Sequence, residues 1–212
     1  MPDENQLKLQ REIVNTMKLL YEKSLITPTG GNVSAKLRGS TSFWITPTSQ
    51  FKGRLNTSDL VKVTLSGKWS RRRLKPSVET PLHSEIYRTR SDVNAIIHAH
   101  SPVTLGVTLA GVEIKPLTPE GVLFVGEVPI VQFETPGTEN LASAVGQMLK
   151  SHQVAVMQNH GVVAVGRNLL EALNRLEIVE MTAQIMTVTH NWGGSPTLTA
   201  AQLEKLRDLT TV

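Results

Sequence analysis

The chain has 212 residues, 40% of them hydrophobic and 19% charged, so it is long enough to bury a full core and too apolar to be disordered. It contains no cysteine, which excludes a disulfide framework and thiol chemistry, and no apolar run near the roughly 20 residues of a membrane span. The opening "MPDENQLKLQ" lacks the basic start and apolar stretch of a signal peptide, so the expectation is a cytoplasmic protein with no membrane partner, a single domain over 1–212.

Taken in chain order, Leu9, Ile13, Met17 and Leu20 recur at helical spacing and predict an N-terminal amphipathic helix within about 1–25. It ends at "ITPTGG", where Pro28, Gly30 and Gly31 forbid continuation. "NVSAKL" and "SFWIT" read as short strands joined by the turn "RGSTS", and "LVKVTLSGKW" as another that turns at Ser66 and Gly67. The following "WSRRRLKPS" gathers Arg71, Arg72, Arg73 and Lys75. Without aromatic interleaving, in a chain of 4% aromatic residues and net charge +4, it reads as a solvated hairpin, and no nucleic-acid partner is expected.

"TPLHSEIYRTR" predicts a helix, "VNAIIHAH" a strand, and about Pro102–Leu109 a second helix. After the irregular "GVEIKPLTPEG" come a strand at "EVPIVQF", a helix over "GTENLASAVGQMLKSH", and strands at "VAVMQN" and "GVVAVG". A long helix over Asn168–Trp192 and a tail helix over about 196–212 complete the chain. Short strands, hairpin-length turns and interspersed helices, with no repeat or linker, predict a layered α/β/α single domain with a largely antiparallel central sheet.

"AIIHAHSP" places His98 and His100 two residues apart, so on a strand both rings project the same way and chelate when neutral. His160, in "MQNHGVVAVG", ends an apolar strand just before a glycine and is a candidate third ligand from a separate element. Three histidines with an open fourth position describe a catalytic zinc-type centre, and Mn2+ or Fe2+ would accept the same imidazoles. His83 and His152, on predicted helices, and His190, near the end of another, read as surface or packing residues.

A metal centre of this kind needs a separate proton carrier, and Glu79 in "KPSVETPLH" is the candidate. A carboxylate at that position also serves as an ordinary partner of a helix N-terminus. "TPTGGNVS" and "ITPTSQFKG" are Gly/Thr/Ser-rich loops beside strands, whose N–H groups and hydroxyls suit phosphate oxygens, although neither matches a P-loop or a dinucleotide fingerprint. No lysine stands in a context that suggests a Schiff base.

In order and spacing, "GGNVS", "ITPT", "KPSVETPLH", "IIHAHSP", "VPIVQFETPGT" and "NHGVVAVG" resemble the class II aldolase/adducin-head family, from about Leu9 to Met186. The resemblance implies that His98, His100 and His160 bind a divalent metal, usually Zn2+. Glu79 matches the acidic catalytic position, which in the family's aldolases ligates the free metal and shuttles protons once substrate displaces it. The family's 4-epimerases carry aspartate there, so glutamate favours the aldolase branch.

Gly31, Asn32, Thr48 and Ser77 match positions that hold the substrate phosphate. Two positions depart from the aldolase pattern: Ser49 replaces the glycine after "TPT", and Val78 replaces a second serine before the glutamate. Losing that hydroxyl costs on the order of 1.5–3 kcal/mol of anion binding unless Ser49 compensates. Near "LTPEGVLFVG" no tyrosine matches the aldolase proton donor, which leaves Glu120 as the candidate acid.

The implied reaction is retro-aldol cleavage of a sugar phosphate, a ketose phosphate, to dihydroxyacetone phosphate and an aldehyde through a metal-stabilised enediolate. The implied assembly is a homotetramer with active sites between subunits. Epimerase, sugar-phosphate dehydratase and 3-oxo-acid-phosphate decarboxylase activities share the fold and remain alternatives. A non-catalytic adducin-like interaction module predicts loss of the histidines or the acid, and this chain keeps all four.

Overall fold

The computed structural model describes residues 3–70, 74–194 and 198–208; Arg71, Arg72 and Arg73 of the basic stretch, and Ser195 and Pro196 ahead of the tail helix, lie outside the described residues. The first helix, α1, runs over Glu4–Glu22, with the Asp3 carboxylate accepting from the Asn5 N–H at its start. Its apolar stripe, Ile13, Val14, Met17 and Leu20, is buried as the periodicity predicts. The chain then turns through Gly31 at φ +65°, where an added Cβ would stand 2.5 Å from Ile26 and 2.9 Å from the His98 carbonyl. Only glycine allows both the backbone conformation and that approach.

Among the described residues seven strands form one sheet: β1 (Asn32–Ala35), β2 (Ser42–Ile45), β3 (Val61–Thr64), β4 (Ala95–Ala99), β5 (Ile130–Val131), β6 (Val154–Met157) and β7 (Gly161–Gly166). The spatial order is β3-β2-β1-β4-β7-β6-β5, and every neighbouring pair is antiparallel except β5 with β6. Alternation along the central strands sorts side chains onto two faces. Ile97, Val162 and Ala164 join the core beneath α1, α3 (Pro102–Leu109) and α5 (Leu169–His190). Ile96, Val163 and Val165 join the second core beneath α2 (Thr80–Thr89) and α4 (Glu139–Met148). The tail helix, α6 (Ala200–Asp208), packs on a short π-helical turn over Gly121–Val125. The expected α/β/α layering around a largely antiparallel sheet is therefore the architecture found.

Three elements differ from expectation. The strand at "EVPIVQF" shrinks to Ile130–Val131, because the Phe133 N–H is taken by the Gln158 side chain at 3.0 Å and leaves the ladder. The helix expected to run through His152 stops at Met148, and the His152 ring donates from Nδ1 to the Met148 carbonyl at 2.9 Å from a turn. The strand carrying the paired histidines ends at Ala99, and the His100 N–H turns away to the Leu25 carbonyl.

Candidate metal centre and active site

Strand β4 is buried on both faces and presents His98 on the side of α2, in register with Asn32 of β1 and Val163 of β7. Just beyond the strand, the His100 and Ser101 N–H groups both donate to the Leu25 carbonyl, at 2.9 and 3.1 Å. That fork, with Ser101 at φ 32°, keeps the His100 ring 5.2 Å from the His98 ring. His160 arrives from the turn between β6 and β7, its ring 4.8 Å from that of His98. The glycine behind it is required by space: a Cβ on Gly161 would lie 2.4 Å from the Ala99 carbonyl and 2.7 Å from His98 Cε1. The structure brings together the three histidines singled out from the sequence, with one ligating nitrogen from each within 4.8 Å of the others.

Glu79 occupies the N-cap position of α2 but makes no side-chain capping bond. Its carboxylate, 3% exposed, points into the histidine cluster, with Oε2 3.2 Å from His98 Nε2 and Oε1 3.1 Å from His160 Nε2. Asn32 Nδ2 donates to Oε2 at 2.8 Å. Burial alone would raise this carboxyl's pKa, but His98, His160 and the Asn32 amide outweigh it and hold it below the usual carboxylate range. Burial pushes His98 down to about 4, against the pull of Glu79. Burial and the neighbouring His160 also lower His100.

Hydrogen bonding adds the orientation. A carbonyl oxygen only accepts, so the 3.1 Å contact between His98 Nδ1 and the Val162 carbonyl places the proton on Nδ1 and leaves the Nε2 lone pair facing Glu79. Two acceptors then face each other, and Glu79 Oε1 and His160 Nδ1 are buried without hydrogen-bond partners among the described residues. A bare imidazole nitrogen facing a buried carboxylate, with two further imidazoles alongside, is the chemistry that suits a divalent cation, so these residues fit a metal.

A cleft of about 150 Å³ opens beside this cluster, and Gly31, Asn32, Thr48, Ser77 and Val78 line it together with Glu79 and the three histidines. Ser77 Oγ accepts from the Glu79 N–H at 3.3 Å, which ties the loop to the start of α2. Asn32 has its side chain already engaged on both sides, by Glu79 and by His83. Ser49, at φ 54°, is exposed and stands outside the cleft lining. Glu120 is exposed at the start of the π-helical turn and is also outside the lining.

Two residues of the site were not legible as such. Lys52, in "ITPTSQFKG", is 1% exposed and lines the cleft, donating to the Pro47 carbonyl, with no carboxylate partner among the described residues. Burial pushes this ammonium down to about 8. Its signal was a lone lysine inside a Gly/Thr/Ser loop, which ordinarily marks a surface. His83, read as a surface or packing residue, is fully buried and hydrogen-bonded to Asn32 and Ser34. Of the other histidines set aside, His190 is exposed at the end of α5 and His152 is half-buried.

Residues 11–187 match the family model described as the class II aldolase and adducin N-terminal domain. An L-fuculose phosphate aldolase of Methanocaldococcus jannaschii is 32% identical over 176 residues, 83% of this chain and 94% of that one. A 3-oxo-tetronate 4-phosphate decarboxylase of Pectobacterium atrosepticum is 33% identical over 186 residues, 85% of this chain and 84% of that one. A solved L-fuculose 1-phosphate aldolase superposes with a TM-score of 0.89 at 27% identity, covering 100% of this chain and 99% of the other. With the family model covering most of its length, the chain belongs to the class II aldolase and adducin N-terminal domain family and is an enzyme of the aldolase-type lyase kind.

Proposed function

We propose that the protein cleaves a ketose phosphate in a retro-aldol reaction, releasing dihydroxyacetone phosphate and an aldehyde, with His98, His100 and His160 as ligands of Zn2+ and Glu79 as a further ligand and proton carrier. The observation that carries this reading is the buried Glu79 carboxylate set between His98 and His160, with Oε1 3.1 Å from His160 Nε2 and without a hydrogen bond among the described residues. When bound, the divalent cation supplies positive charge where the cleaved substrate accumulates negative charge. Mn2+ or Fe2+ would use the same donors.

In this reading Gly31, Asn32, Thr48 and Ser77 cradle the phosphate, and the Lys52 ammonium supplies the charge that offsets the hydroxyl absent at Val78. Glu79 Oε1 takes the proton of the hydroxyl beyond the scissile bond as the aldehyde carbonyl forms, the C–C bond breaks with its electron pair left on the dihydroxyacetone fragment, and Glu79 then returns the proton to that carbon. The cleft, at about 150 Å³, is smaller than the roughly 300–1,000 Å³ of most small-molecule pockets. In the same reading the assembly is a homotetramer with active sites between subunits. No helix among the described residues is long and apolar enough to cross a membrane, and the same reading places the enzyme in the cytoplasm.

A second reading, decarboxylation of a 3-oxo acid phosphate, is favoured by the P. atrosepticum relative and by Val78 in place of a hydroxyl. The deciding experiment offers zinc-loaded protein a panel of ketose 1-phosphates and a 3-oxo-tetronate 4-phosphate, and follows dihydroxyacetone phosphate and carbon dioxide. The expected result is dihydroxyacetone phosphate release from a ketose 1-phosphate, with an aldehyde and no carbon dioxide, that a chelator abolishes and that Glu79→Gln lowers by about 10²–10⁴-fold. Carbon dioxide formed together with dihydroxyacetone phosphate from the 3-oxo acid, with no ketose 1-phosphate cleaved, would establish the second reading, and no product from any substrate would sink both. In the same assay Lys52→Met is expected to raise KM by about 10–100-fold with kcat little changed, the equivalent of about 1.5–3 kcal/mol for a charged hydrogen bond. An unchanged KM would remove Lys52 from the cradle.

A further inference from the structure

Along α2, Glu79, His83 and Tyr87 follow one another at intervals of four residues, so they share one face of the helix at a rise of about 6 Å per step. On β1, Asn32 and Ser34 are two residues apart and share one face of the strand at about 6.6 Å per step. The two spacings nearly match, and the side chains interleave as Glu79, Asn32, His83, Ser34, Tyr87. The links are Asn32 Nδ2 to Glu79 Oε2 at 2.8 Å, His83 Nε2 to Asn32 Oδ1 at 2.5 Å, Ser34 Oγ to His83 Nδ1 at 2.7 Å and Tyr87 to Ser34 Oγ at 2.8 Å. All five residues are buried.

The direction of each bond follows from its neighbour. The carboxylate only accepts, so Asn32 presents its NH2 to Glu79 and its carbonyl oxygen to His83. That oxygen also only accepts, so His83 carries its proton on Nε2, and its bare Nδ1 takes the Ser34 O–H. Ser34 has a single proton to give, so the Tyr87 O–H donates to Ser34. Burial keeps His83 neutral, pushed down to about 3, and keeps the Tyr87 phenol protonated.

We infer that His83 is a positioning residue for Glu79: as the neutral Nε2–H tautomer it is the middle link of a one-way donor chain from Tyr87 through Ser34 and Asn32, which pins Oε2 and leaves Oε1 as the free oxygen. The pinning stands on this geometry; that Oε1 then carries the proton rests on the role proposed above for Glu79. A chain that polarises in one direction also strengthens its terminal bond to the carboxylate, and it makes the imidazole a fixture of the site rather than of the core.

The primary test is long-range 1H–15N correlation on 15N-histidine-labelled wild-type protein at neutral pH. His83 should show a protonated Nε2 and a bare Nδ1; an Nδ1–H tautomer or an imidazolium would overturn the chain. Zinc calorimetry supplies the second readout. His83→Leu should weaken zinc binding by about 10–100-fold, as loss of a partner behind a metal ligand typically does. His83→Gln, which keeps an N–H toward Asn32, should restore most of it. Wild-type affinity in the leucine variant would also overturn the inference. Wild-type protein that binds no zinc would strike the proposed function alone, and the tautomer would still decide the chain.

Discussion

His83 and His98 are both buried imidazoles, yet their partners give them different work. His98 donates from Nδ1 to a carbonyl and turns Nε2 toward Glu79, whereas His83 donates from Nε2 and accepts at Nδ1. The charge state of His83 has a consequence for stability that needs no substrate. Burial lowers it from 6.5 to about 3, with Glu79 opposing the shift and His98 assisting it. Between those values the unfolded chain binds a proton at this residue and the native chain does not. Its contribution to stability is therefore complete above pH 6.5 and is lost as pH falls toward 3. Urea unfolding of metal-free protein between pH 6 and 4 should lose stability more steeply in wild type than in His83→Gln, by up to about 1.4 kcal/mol per pH unit. Parallel slopes would show that His83 is protonated in the native state.

At the scale of elements, the start of α3 is held from outside. Its N-cap, Ser101, makes no side-chain capping bond, and the N–H groups of Val103 and Thr104 instead reach the Glu180 carboxylate of α5, at 3.0 and 2.9 Å. The Thr104 hydroxyl adds a third bond at 2.7 Å. A buried carboxylate at a helix N-terminus satisfies donors that the helix itself cannot. Glu180→Ala should cost on the order of 3 kcal/mol or more, lowering Tm by roughly 6–12 °C in a differential scanning measurement. A change within one degree would mean that water replaces the carboxylate at no cost. His100 sits immediately before this junction, so α5 steadies the loop from which that ring projects.

At the scale of the whole molecule, the site exists only when distant segments meet: Gly31–Asn32, Thr48–Lys52, Ser77–Glu79, His98–His100 and His160. The unfolded chain cannot reproduce that convergence, so a cation bound there stabilises the native state by mass action. At free zinc about 100-fold above its Kd the gain is about 2.7 kcal/mol, a rise in Tm of roughly 5–10 °C that a chelator should reverse. A Tm indifferent to zinc and chelator would argue against a metal at these histidines.

Most of the architecture was legible because periodicity is a local property. The stripe Ile13, Met17, Leu20 declares a helix and alternation declares β3, both within a few residues. The histidine pair of "AIIHAHSP" was legible as a pair, but its strand ends at Ala99, and the bonds to the Leu25 carbonyl rather than strand alternation set His100. β5 and the end of α4 escaped because side chains outside the period, Gln158 and His152, claimed the backbone groups. The environment of each site residue was set at longer range. Glu79 meets Asn32 across 47 positions, and His98 meets the Val162 carbonyl across 64. Lys52 looks like any surface lysine until the fold closes over it, and Ser49 and Glu120, plausible in the linear order, fall outside the cleft. The sequence by itself determined the elements and the residue types present for metal and proton chemistry. Which donors face which acceptors, and which charges lose their water, only the tertiary structure decided, because hydrogen bonding and desolvation depend on neighbours in space.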